Sequence, residues 1–234
     1  MRKISSNSLK VAKEQNKITT LLGEVKLKII GFSSGTIGGL RNVDRMVKAI
    51  MDKSGHENEF VKLTDLVYSG CKGCSWLCAK PQVCVLEDDL FPYYQKIKEA
   101  DAIVVGCPVY GGGINAAMVA FLERFHGYNH VTRVIKNKPF VGVVCGYRKP
   151  DAAVEQLRHR LRRVNLLDVV EYISCSPPCV RCGRHQECSI GGLYQMIGNA
   201  AHSKIITSDM FHRWEDDPGT VAAVEAAASK LRGL

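Results

Sequence analysis

The stretch Ala100-Asp-Ala-Ile-Val-Val-Gly-Cys-Pro-Val-Tyr-Gly-Gly-Gly-Ile-Asn-Ala116 decides the fold of this 234-residue chain. Its segment 102–107 is wholly apolar, which is typical of a strand buried on both faces of a parallel sheet. A glycine-rich turn follows, and the segment 115–125 then has the composition of a helix. The stretch therefore predicts one strand–turn–helix unit of an α/β fold.

Similar units occur on both sides of this stretch. Strands are predicted at 28–31, 59–63, 140–144 and 169–174, and helices at 42–53, 90–100, 153–164 and 218–232. Five strands that alternate with helices imply a doubly wound parallel sheet with right-handed crossovers. We expect one domain at 26–234, preceded by a basic N-terminal arm at 1–25 that packs against this domain or a neighbouring subunit.

The first cysteine-rich loop is Cys71-Lys-Gly-Cys74-Ser-Trp-Leu-Cys78-Ala-Lys-Pro-Gln-Val-Cys84. Thiolates gathered this tightly repel one another and are costly to bury unless a metal neutralises them. One continuous loop with four cysteines favours an iron–sulfur cluster. Structural zinc, whose ligands usually come as two pairs from separated segments, is the alternative. We call these four residues the first tetrad, in the loop 71–84.

A second cysteine-rich loop, 175–188, repeats the pattern with different spacing. Its ligand candidates, the second tetrad, are Cys175, Cys179, Cys182 and Cys188. A second metal centre is predicted here, with a second [4Fe–4S] cluster favoured and zinc as the alternative. The two remaining cysteines, Cys107 and Cys145, end apolar runs and are expected to be small buried side chains rather than metal ligands.

Three loops are expected at the carboxyl edge of the sheet, where open α/β folds bind ligands. The loop at 32–42 exposes backbone N–H groups before a helix N-terminus, which indicates a phosphate; an ordinary glycine-rich turn is the alternative. The loops at 108–114 and 145–149 each offer backbone and a tyrosine to a flat ligand. The candidate binding residues are Ser33, Ser34, Gly35, Thr36, Gly39, Leu40, Arg41, Asn42, Pro108, Val109, Tyr110, Gly111, Gly112, Gly113, Cys145, Gly146 and Tyr147.

The stretch 100–116, with Phe121-Leu-Glu-Arg124 after it, resembles the flavodoxin-like NAD(P)H-dependent FMN reductase family. The first tetrad makes the chain similar to the iron–sulfur flavoprotein branch of that family. The resemblance implies a flavodoxin-like fold with the strand order 2-1-3-4-5, FMN bound by the three loops, and a [4Fe–4S] cluster on the first tetrad. It also implies a homo-oligomer, a dimer or tetramer, whose flavins lie at subunit interfaces.

The chain departs from the family pattern at several positions. Ser34-Gly-Thr-Ile stands where the phosphate loop usually reads Gly-Ser-Pro-Arg, Met118 replaces a common Lys, and Glu123 replaces the usual Asp. The first tetrad has three residues where two are usual between its second and third cysteines. The second tetrad is not part of the common pattern, so the resemblance implies nothing about it.

The chain carries a formal net charge of +9. Two cubane clusters and a flavin phosphate would each contribute about −2, which leaves about +3, an ordinary surface. Because no aromatic-interleaved basic stripe or known nucleic-acid module occurs, we expect no nucleic-acid partner. The apolar runs are too short to cross a bilayer and the N-terminus lacks a secretory signal. We therefore expect no membrane partner and a reducing cytoplasm, where cysteines hold metals rather than disulfides.

These patterns favour an electron-transfer flavoprotein. A cluster exchanges one electron at a time, whereas FMN stores two and delivers them singly or together. We expect an oxidoreductase that passes electrons between [4Fe–4S] clusters and FMN, with a ferredoxin-type redox partner as donor; its catalytic residues are not evident from the sequence. Two alternatives stay open: an NAD(P)H-dependent flavin or quinone reductase with structural metals, and a zinc-stabilised binding module.

Overall fold

Residues 26–147, 150–174, 176 and 179–234 are described in a computed structural model of the chain. The predicted arm at 1–25 and the predicted ligand Cys175 lie outside these ranges, as do residues 148–149 of the third predicted loop and residues 177–178. Strands and helices alternate along the described chain, as the sequence predicts.

A six-stranded sheet forms the centre of the fold. Its strands are β1 (Lys28–Ser33), β2 (Glu57–Lys62), β3 (Ala102–Tyr110), β4 (Gly113–Ile114), β5 (Pro139–Gly146) and β6 (Asn165–Ile173). Five of them are parallel in the order β2-β1-β3-β5-β6, which confirms the predicted order. The short strand β4 pairs antiparallel with β3, so the predicted count of five strands is one too few.

The additional strand, β4, belongs to a tight hairpin inside the second predicted loop. Tyr110 pairs with Gly113, and Gly111 and Gly112 between them have φ of 59° and 82°. Two consecutive positive φ values are typical of a type I′ turn, which matches the twist of the flanking strands. A strand of two residues shows no alternation of apolar and polar positions, which explains why the sequence pattern misses β4.

Helices flank the sheet along the whole described chain. The α-helices are α1 (Asn42–Ser54), α2 (Ser75–Cys78), α3 (Phe91–Glu99), α4 (Ala116–Glu123), α5 (Asp151–Arg160), α6 (Cys179–Cys182), α7 (Gly192–Ile197) and α8 (Pro218–Arg232). The 3-10 helix Arg124–Asn129 continues α4, and further 3-10 helices lie at Leu63–Asp65, His185–Glu187, Gly198–Ser203, Ser208–Met210 and Trp214–Asp216. No helix in these ranges is long and apolar enough to cross a lipid bilayer.

The boundary between α5 and β6 differs from the prediction. The helix predicted at 153–164 ends at Arg160, and the strand predicted from 169 begins at Asn165. The reason is tertiary pairing: β6 is hydrogen-bonded to β5 from the Pro139–Asn165 pair onward, along its whole length. These ladder bonds outweigh the local preference of the basic segment 160–164 for a helix.

Apolar residues fill both faces of the sheet. The helices α3, α4 and α5 cover one face, where Tyr94, Phe121 and Leu157 belong to the buried core. The helices α1 and α8 cover the other face, with Met46 and Leu231 in its core. This is the three-layer arrangement that a doubly wound sheet needs to bury both of its apolar faces.

The cysteine-rich segment after β6 forms a small unit of its own. Cys179, Leu193 and Ala201 make up a separate apolar core within it. The segment returns to the sheet at the 3-10 helix Trp214–Asp216, where Trp214 is buried in the core beneath α1 and α8. The unit thereby stays attached to the main domain at both ends.

A buried carboxylate anchors the loop between β1 and α1. Asp44 accepts hydrogen bonds from the Ser33 hydroxyl (2.6 Å) and the Arg41 N–H (2.7 Å), and its Oδ2 pairs with Lys62 Nζ at 3.2 Å. Gly35 packs directly on this carboxylate, since a Cβ at Gly35 would lie 2.2 Å from Asp44 Oδ1. A larger residue at position 35 would therefore force the loop away from Asp44.

Replacement of Asp44 tests this anchor. We expect Asp44→Ala to lower the free energy of unfolding by about 3–5 kcal/mol, because Lys62 would keep a buried charge without its partner. Urea unfolding followed by circular dichroism measures the change. The exposed Asp52 lies on the same helix, and Asp52→Ala should cost less than about 0.5 kcal/mol. Equal losses in the two variants would contradict the role given to Asp44.

Candidate functional site

A pocket opens at the carboxyl ends of β1, β3 and β5, beside the point where the strand order reverses. We call it the switch-point pocket. Nine of the seventeen predicted binding residues line it, drawn from all three predicted loops. The complete lining is Thr36, Arg41, Asn42, Val43, Pro108, Val109, Tyr110, Cys145, Gly146, Tyr147, Ser174, Ser176, Arg181 and His212.

The other predicted binding residues support the pocket or lie beside it. Ser33 and Ser34 are fully buried, and their hydroxyls donate to Asp44 Oδ1 (2.6 Å) and Asn115 Oδ1 (2.6 Å). Their protons are therefore used inside the protein, where they hold the first loop in place. The remaining predicted residues outside the lining are Gly35, Gly39, Leu40, Gly111, Gly112 and Gly113.

Two arginines give the switch-point pocket its charge. Arg41 precedes α1 and Arg181 lies on α6, and within the described ranges neither forms an ion pair with a carboxylate. The neighbouring Arg45 is neutralised by Glu215 through hydrogen bonds of 2.6 and 3.0 Å. Burial, followed by the positive charge of Arg41, lowers the pKa of Arg181. The pocket thus concentrates positive charge at a helix N-terminus that itself favours an anion.

The second cysteine-rich segment forms one wall of the switch-point pocket. Asn42 Nδ2 donates to the carbonyl of His212 at 3.0 Å, and the His212 N–H donates to Ser176 Oγ at 2.7 Å. The Tyr147 hydroxyl lies 2.8 Å from Met196 Sδ, to which it donates. The segment that carries the second tetrad therefore contacts both the first and the third predicted loops.

The pocket is too small to enclose a nucleotide completely. Its volume is about 190 Å³, whereas pockets that enclose a whole ligand usually measure about 300–1,000 Å³. Tyr110 is 53% exposed at its mouth, next to the Gly111–Gly112 turn. Burial raises the pKa of the Cys145 thiol to about 12, so this part of the lining is uncharged. A flat ligand would extend out of the pocket past Tyr110.

The first tetrad combines two buried with two more accessible cysteines. Cys78 and Cys84 are buried, Cys74 is half-buried before α2, and Cys71 is exposed. Burial, and then the proximity of Cys74, Cys84 and Cys71, raises the pKa of Cys78. Cys78 is thus close enough to the other three thiols to interact with them electrostatically, and a metal that binds their thiolates would relieve this repulsion.

The first cysteine-rich loop packs on the 3-10 helix Arg124–Asn129 and the residue after it. A Cβ at Gly127 would lie 2.7 Å from the backbone N of Cys84, so only glycine permits this close approach. His130 Nε2 lies 3.0 Å from Cys78 Sγ, and His126 Nε2 lies 3.3 Å from Ser75 Oγ. Cys71 Sγ accepts the Gly73 N–H at 3.4 Å.

A buried arginine supports this loop from behind. Arg124 donates from Nε to the Tyr94 hydroxyl at 3.0 Å and forms an ion pair with Asp88. Its remaining nitrogen, Nη1, is buried without a hydrogen-bond partner among the described residues. Burial and then the nearby Cys84 raise the pKa of Tyr94. A positive charge of this kind is well placed to stabilise thiolates or an anionic cluster on the first tetrad.

The described cysteines of the second tetrad are surrounded by backbone N–H donors. Cys188 Sγ accepts the Gly191 N–H (3.1 Å), Cys179 Sγ that of Leu193 (3.4 Å), and Cys182 Sγ that of Arg184 (3.4 Å). A Cβ at Gly191 would lie 2.5 and 3.0 Å from the sulfurs of Cys179 and Cys188, so both sulfurs lie beside Gly191 and only glycine leaves room for them. N–H groups directed at sulfur stabilise thiolate ligands and tune iron–sulfur clusters.

Both tetrads fit metal ligation by their donor chemistry. Within the described ranges, no three His, Cys, Asp or Glu side chains converge closely enough to hold a single metal ion as they stand. A cluster distributes its four thiolates over different iron atoms, so its ligands do not need to meet at one point. The mutual influence of the first four thiols and the N–H groups around the second set are the observations that suit such a group.

Several site residues were not predicted from the sequence. The switch-point pocket is also lined by Ser174, which ends the last predicted strand, by Ser176 and Arg181 inside the second cysteine loop, and by His212 beyond that loop. The sequence signal that could have indicated Arg181 as a site residue was its position between two cysteines. The pair His126 and His130, four residues apart, likewise indicated a segment that could face the first tetrad.

The fold and the pocket define a class of protein. A doubly wound sheet with an anion-attracting pocket at its switch point is typical of flavodoxin-like, nucleotide-cofactor proteins. The chain belongs to the NADPH-dependent FMN reductase family, whose sequence profile matches residues 27–176. This match includes β1 to β6 and the first tetrad and ends before Cys179.

The chain is similar to iron–sulfur flavoproteins within this family. It is 34% identical over 101 residues to one from Methanocaldococcus jannaschii (42% of this chain, 51% of the relative) and 35% identical over 92 residues to one from Archaeoglobus fulgidus (39% and 45%). The relative from Methanosarcina thermophila is 30% identical over 115 residues (48% and 59%). The chain thus spans about half the length of the curated relatives it matches.

Solved structures confirm the fold. The apo form of the NADH:FMN oxidoreductase EmoB superimposes with a TM-score of 0.52 at 12% identity (88% of this chain, 89% of that chain). An azoreductase from Bacillus anthracis gives 0.51 at 12% identity (89% and 100%), and FerB, an NAD(P)H:acceptor oxidoreductase from Paracoccus denitrificans, gives 0.51 at 13% (88% and 96%). At these identities the likeness shows the flavodoxin-like fold alone.

Replacement of Gly127 tests how the first cysteine-rich loop is held. We expect Gly127→Ala to reduce iron bound at the first tetrad by at least about half, because the added methyl group displaces the backbone at Cys84. Iron per chain after anaerobic purification measures this.

Gly219→Ala is the matched control, since a Cβ there meets only Asp217 Oδ1 at 3.7 Å, an ordinary contact. The control should keep the wild-type iron content. A Gly127→Ala protein with full iron content would show that the loop does not depend on this close packing.

Proposed function

We propose that this protein is a flavin-dependent electron-transfer protein that binds FMN in the switch-point pocket and metal centres at both tetrads. One observation supports it above all: Arg181, which lies between Cys179 and Cys182, lines the pocket. The flavin site and the second metal site would then share a wall of a few residues. Such proximity suits the transfer of electrons between two centres within one chain.

The residues of the pocket divide the proposed ligand into two parts. The phosphate is held by Arg41, Arg181 and the amino end of α1. It supplies the anionic partner that these positively charged groups do not have within the described residues. Tyr110, Tyr147 and the uncharged Cys145 flank the isoalloxazine ring, part of which extends past Tyr110. When bound, FMN supplies the chemistry of accepting two electrons and releasing them one at a time.

The metal sites are proposed as two [4Fe–4S] clusters. The first tetrad matches the cluster expected from the resemblance, and the second has N–H donors at its three described sulfurs. Zinc is the alternative at the second tetrad because it also accepts four thiolates. We further propose a ferredoxin-type donor and a homo-oligomer that buries the exposed mouth of the pocket.

A second candidate function is an NAD(P)H-dependent flavin or quinone reductase with structural metals. The exposed Tyr110 at the pocket mouth favours it, because a nicotinamide needs an open face of the flavin to stack upon. One anaerobic experiment distinguishes the two functions. Rapid bleaching of the flavin by NADPH alone would support the reductase, whereas bleaching by a one-electron donor protein but not by NADPH would support electron transfer.

Replacement of Arg181 tests the proposed phosphate site. We expect Arg181→Ala to weaken FMN binding about 10- to 150-fold, the loss of a charged hydrogen bond of about 1.5–3 kcal/mol. Fluorescence titration of the flavin-free protein with FMN measures the dissociation constant. Arg184→Ala is the control from the same cysteine loop, since Arg184 is exposed and pairs only with Glu187 in the described ranges. An unchanged affinity in Arg181→Ala would place the phosphate elsewhere.

Replacement of Cys179 and Cys182 by serine tests the second cluster. We expect iron to fall from about eight to about four per chain, with the signals of the first cluster retained. The change disturbs the wall that carries Arg181, and the contact of Arg181 with FMN is the most that this disturbance can remove. FMN affinity should therefore fall by no more than in Arg181→Ala. The buried Cys107 is not a ligand candidate, and Cys107→Ser should leave the iron content unchanged. Equal iron in the double variant and the wild type would refute the second cluster.

A further inference from the structure

A wide groove lies on the face of the sheet that α4 and α5 cover, away from the switch-point pocket. Its volume is about 850 Å³. The end of α4 and the 3-10 helix Arg124–Asn129 form one wall, and the connection from α5 to β6 forms the other. Since the α5–β6 connection leads into β6, this part of the groove lies at the amino ends of the strands, opposite the pocket edge.

The groove is rich in positive charge. Arg160, Arg162 and Arg163 line it and are exposed, and within the described ranges none of them pairs with a carboxylate. Arg133 and Lys136, also exposed, extend the surface into an adjoining cavity that Arg162 and Arg163 share. Glu123 and Glu155 are the acidic residues in the described lining. We call the surface lined by Arg160, Arg162, Arg163, Arg133 and Lys136 the basic groove.

Local structure explains only part of this charge. Basic residues in the last turn of α5 stabilise the negative end of the helix dipole, which accounts for Arg160. Arg162 and Arg163 follow the helix, and Arg133 and Lys136 belong to the connection before β5. Arg162 still caps α5, because its Nη1 donates to the His159 carbonyl in the last turn at 3.2 Å. Among the described residues, the side chains of Arg163, Arg133 and Lys136 make no such contact with the helix. Solvent and salt screen the mutual repulsion of these exposed charges, and an acidic partner would replace that repulsion by attraction.

The basic groove adjoins the first cysteine-rich loop. His126 lines the groove, and its Nε2 lies 3.3 Å from the hydroxyl of Ser75. Ser75 follows Cys74, which is half-buried, while Cys71 of the same tetrad is exposed. A protein seated in the groove would therefore touch the loop that holds the proposed first cluster.

We propose that the basic groove docks an acidic protein that carries a one-electron centre, and that this carrier reduces the metal centre of the first tetrad. The proposal rests on the proposed function and adds the place where electrons enter. In the step, the carrier loses one electron and the first centre gains one; no bond forms or breaks and no proton is released. Charge complementarity raises the rate of encounter more than it raises affinity, which suits a transient redox complex.

The lining favours a protein over a nucleic acid. Single strands bind through aromatic side chains on which bases stack, and the aromatic residue in the described lining, Phe125, is buried. Proteins instead need a broad surface with matching charge, which the groove and the adjoining cavity provide together.

Reversal of two charges tests the proposal. The holoprotein is mixed anaerobically in a stopped-flow instrument with a reduced acidic [4Fe–4S] ferredoxin, and the bleaching of its own centres is followed. At about 0.01 M salt, Arg160→Glu with Arg163→Glu should lower the second-order rate constant at least about tenfold. At about 1 M salt the difference should disappear, since screening then acts within a few ångströms. Reduction by a small uncharged reductant should be unchanged.

The control reverses the same amount of charge on the other face of the sheet. Lys53 on α1 and Lys230 on α8 each form an exposed ion pair there, and Lys53→Glu with Lys230→Glu should leave the rate constant within about twofold of the wild type. Equal losses in both double variants, or a loss that persists at high salt, would overturn the proposal. Dissociation of an oligomer by the groove variant, or tighter binding of single-stranded RNA than of the ferredoxin, would also overturn it.

The outcome separates this proposal from the proposed function. If the wild type is reduced by the small reductant and not by the ferredoxin, the docking surface is wrong and the flavin function stands. If the metal centres and the flavin are reduced by neither, the proposed function is wrong and the docking surface falls with it.

Discussion

The repulsion between Arg41 and Arg181 is the interaction on which the candidate site depends. The two residues belong to distant parts of the chain, one at the start of α1 and the other on α6. Both line the switch-point pocket, and neither has a carboxylate partner in the described ranges. An anion bound between two such cations would relieve their repulsion. A flavin phosphate meets that requirement and would hold the second cysteine-rich segment against the sheet.

The buried ion pair of Asp44 and Lys62 supports the loop between β1 and α1, which also contains Arg41. It fixes the backbone between β1 and α1, and Gly35 is the residue that allows the chain to pass over the carboxylate. Ser33 and Ser34 are then occupied within the protein. In the proposed function, the groups that remain to bind the anion are Arg41, Arg181 and the helix N-terminus.

Much of the architecture could be predicted because its signals are local. The apolar segment 102–107 and the alternation of strands with helices were enough for the doubly wound sheet, and the flavodoxin-like resemblance supplied the order β2-β1-β3-β5-β6. The boundary near Arg160 and the strand β4 could not be predicted, since both follow from pairing with residues distant in sequence or from a turn of two glycines.

The site was predictable in outline and not in its contacts. The loops that contain Thr36, Tyr110 and Tyr147 were identified correctly as neighbours, because parallel strands bring their carboxyl ends to one edge. The occupation of Ser33 and Ser34 hydroxyls depends on buried partners that no local pattern shows. Arg181 enters the pocket only because the second cysteine-rich segment folds back over α1.

We propose that two metal clusters and one flavin share this chain. The most direct measurement is the content of iron, acid-labile sulfide, zinc and FMN per chain in the wild-type protein, purified without oxygen. We expect about eight irons, about eight sulfides, one FMN and no zinc. About four irons with one zinc would contradict it, because the second tetrad would then be a structural site and not a redox centre.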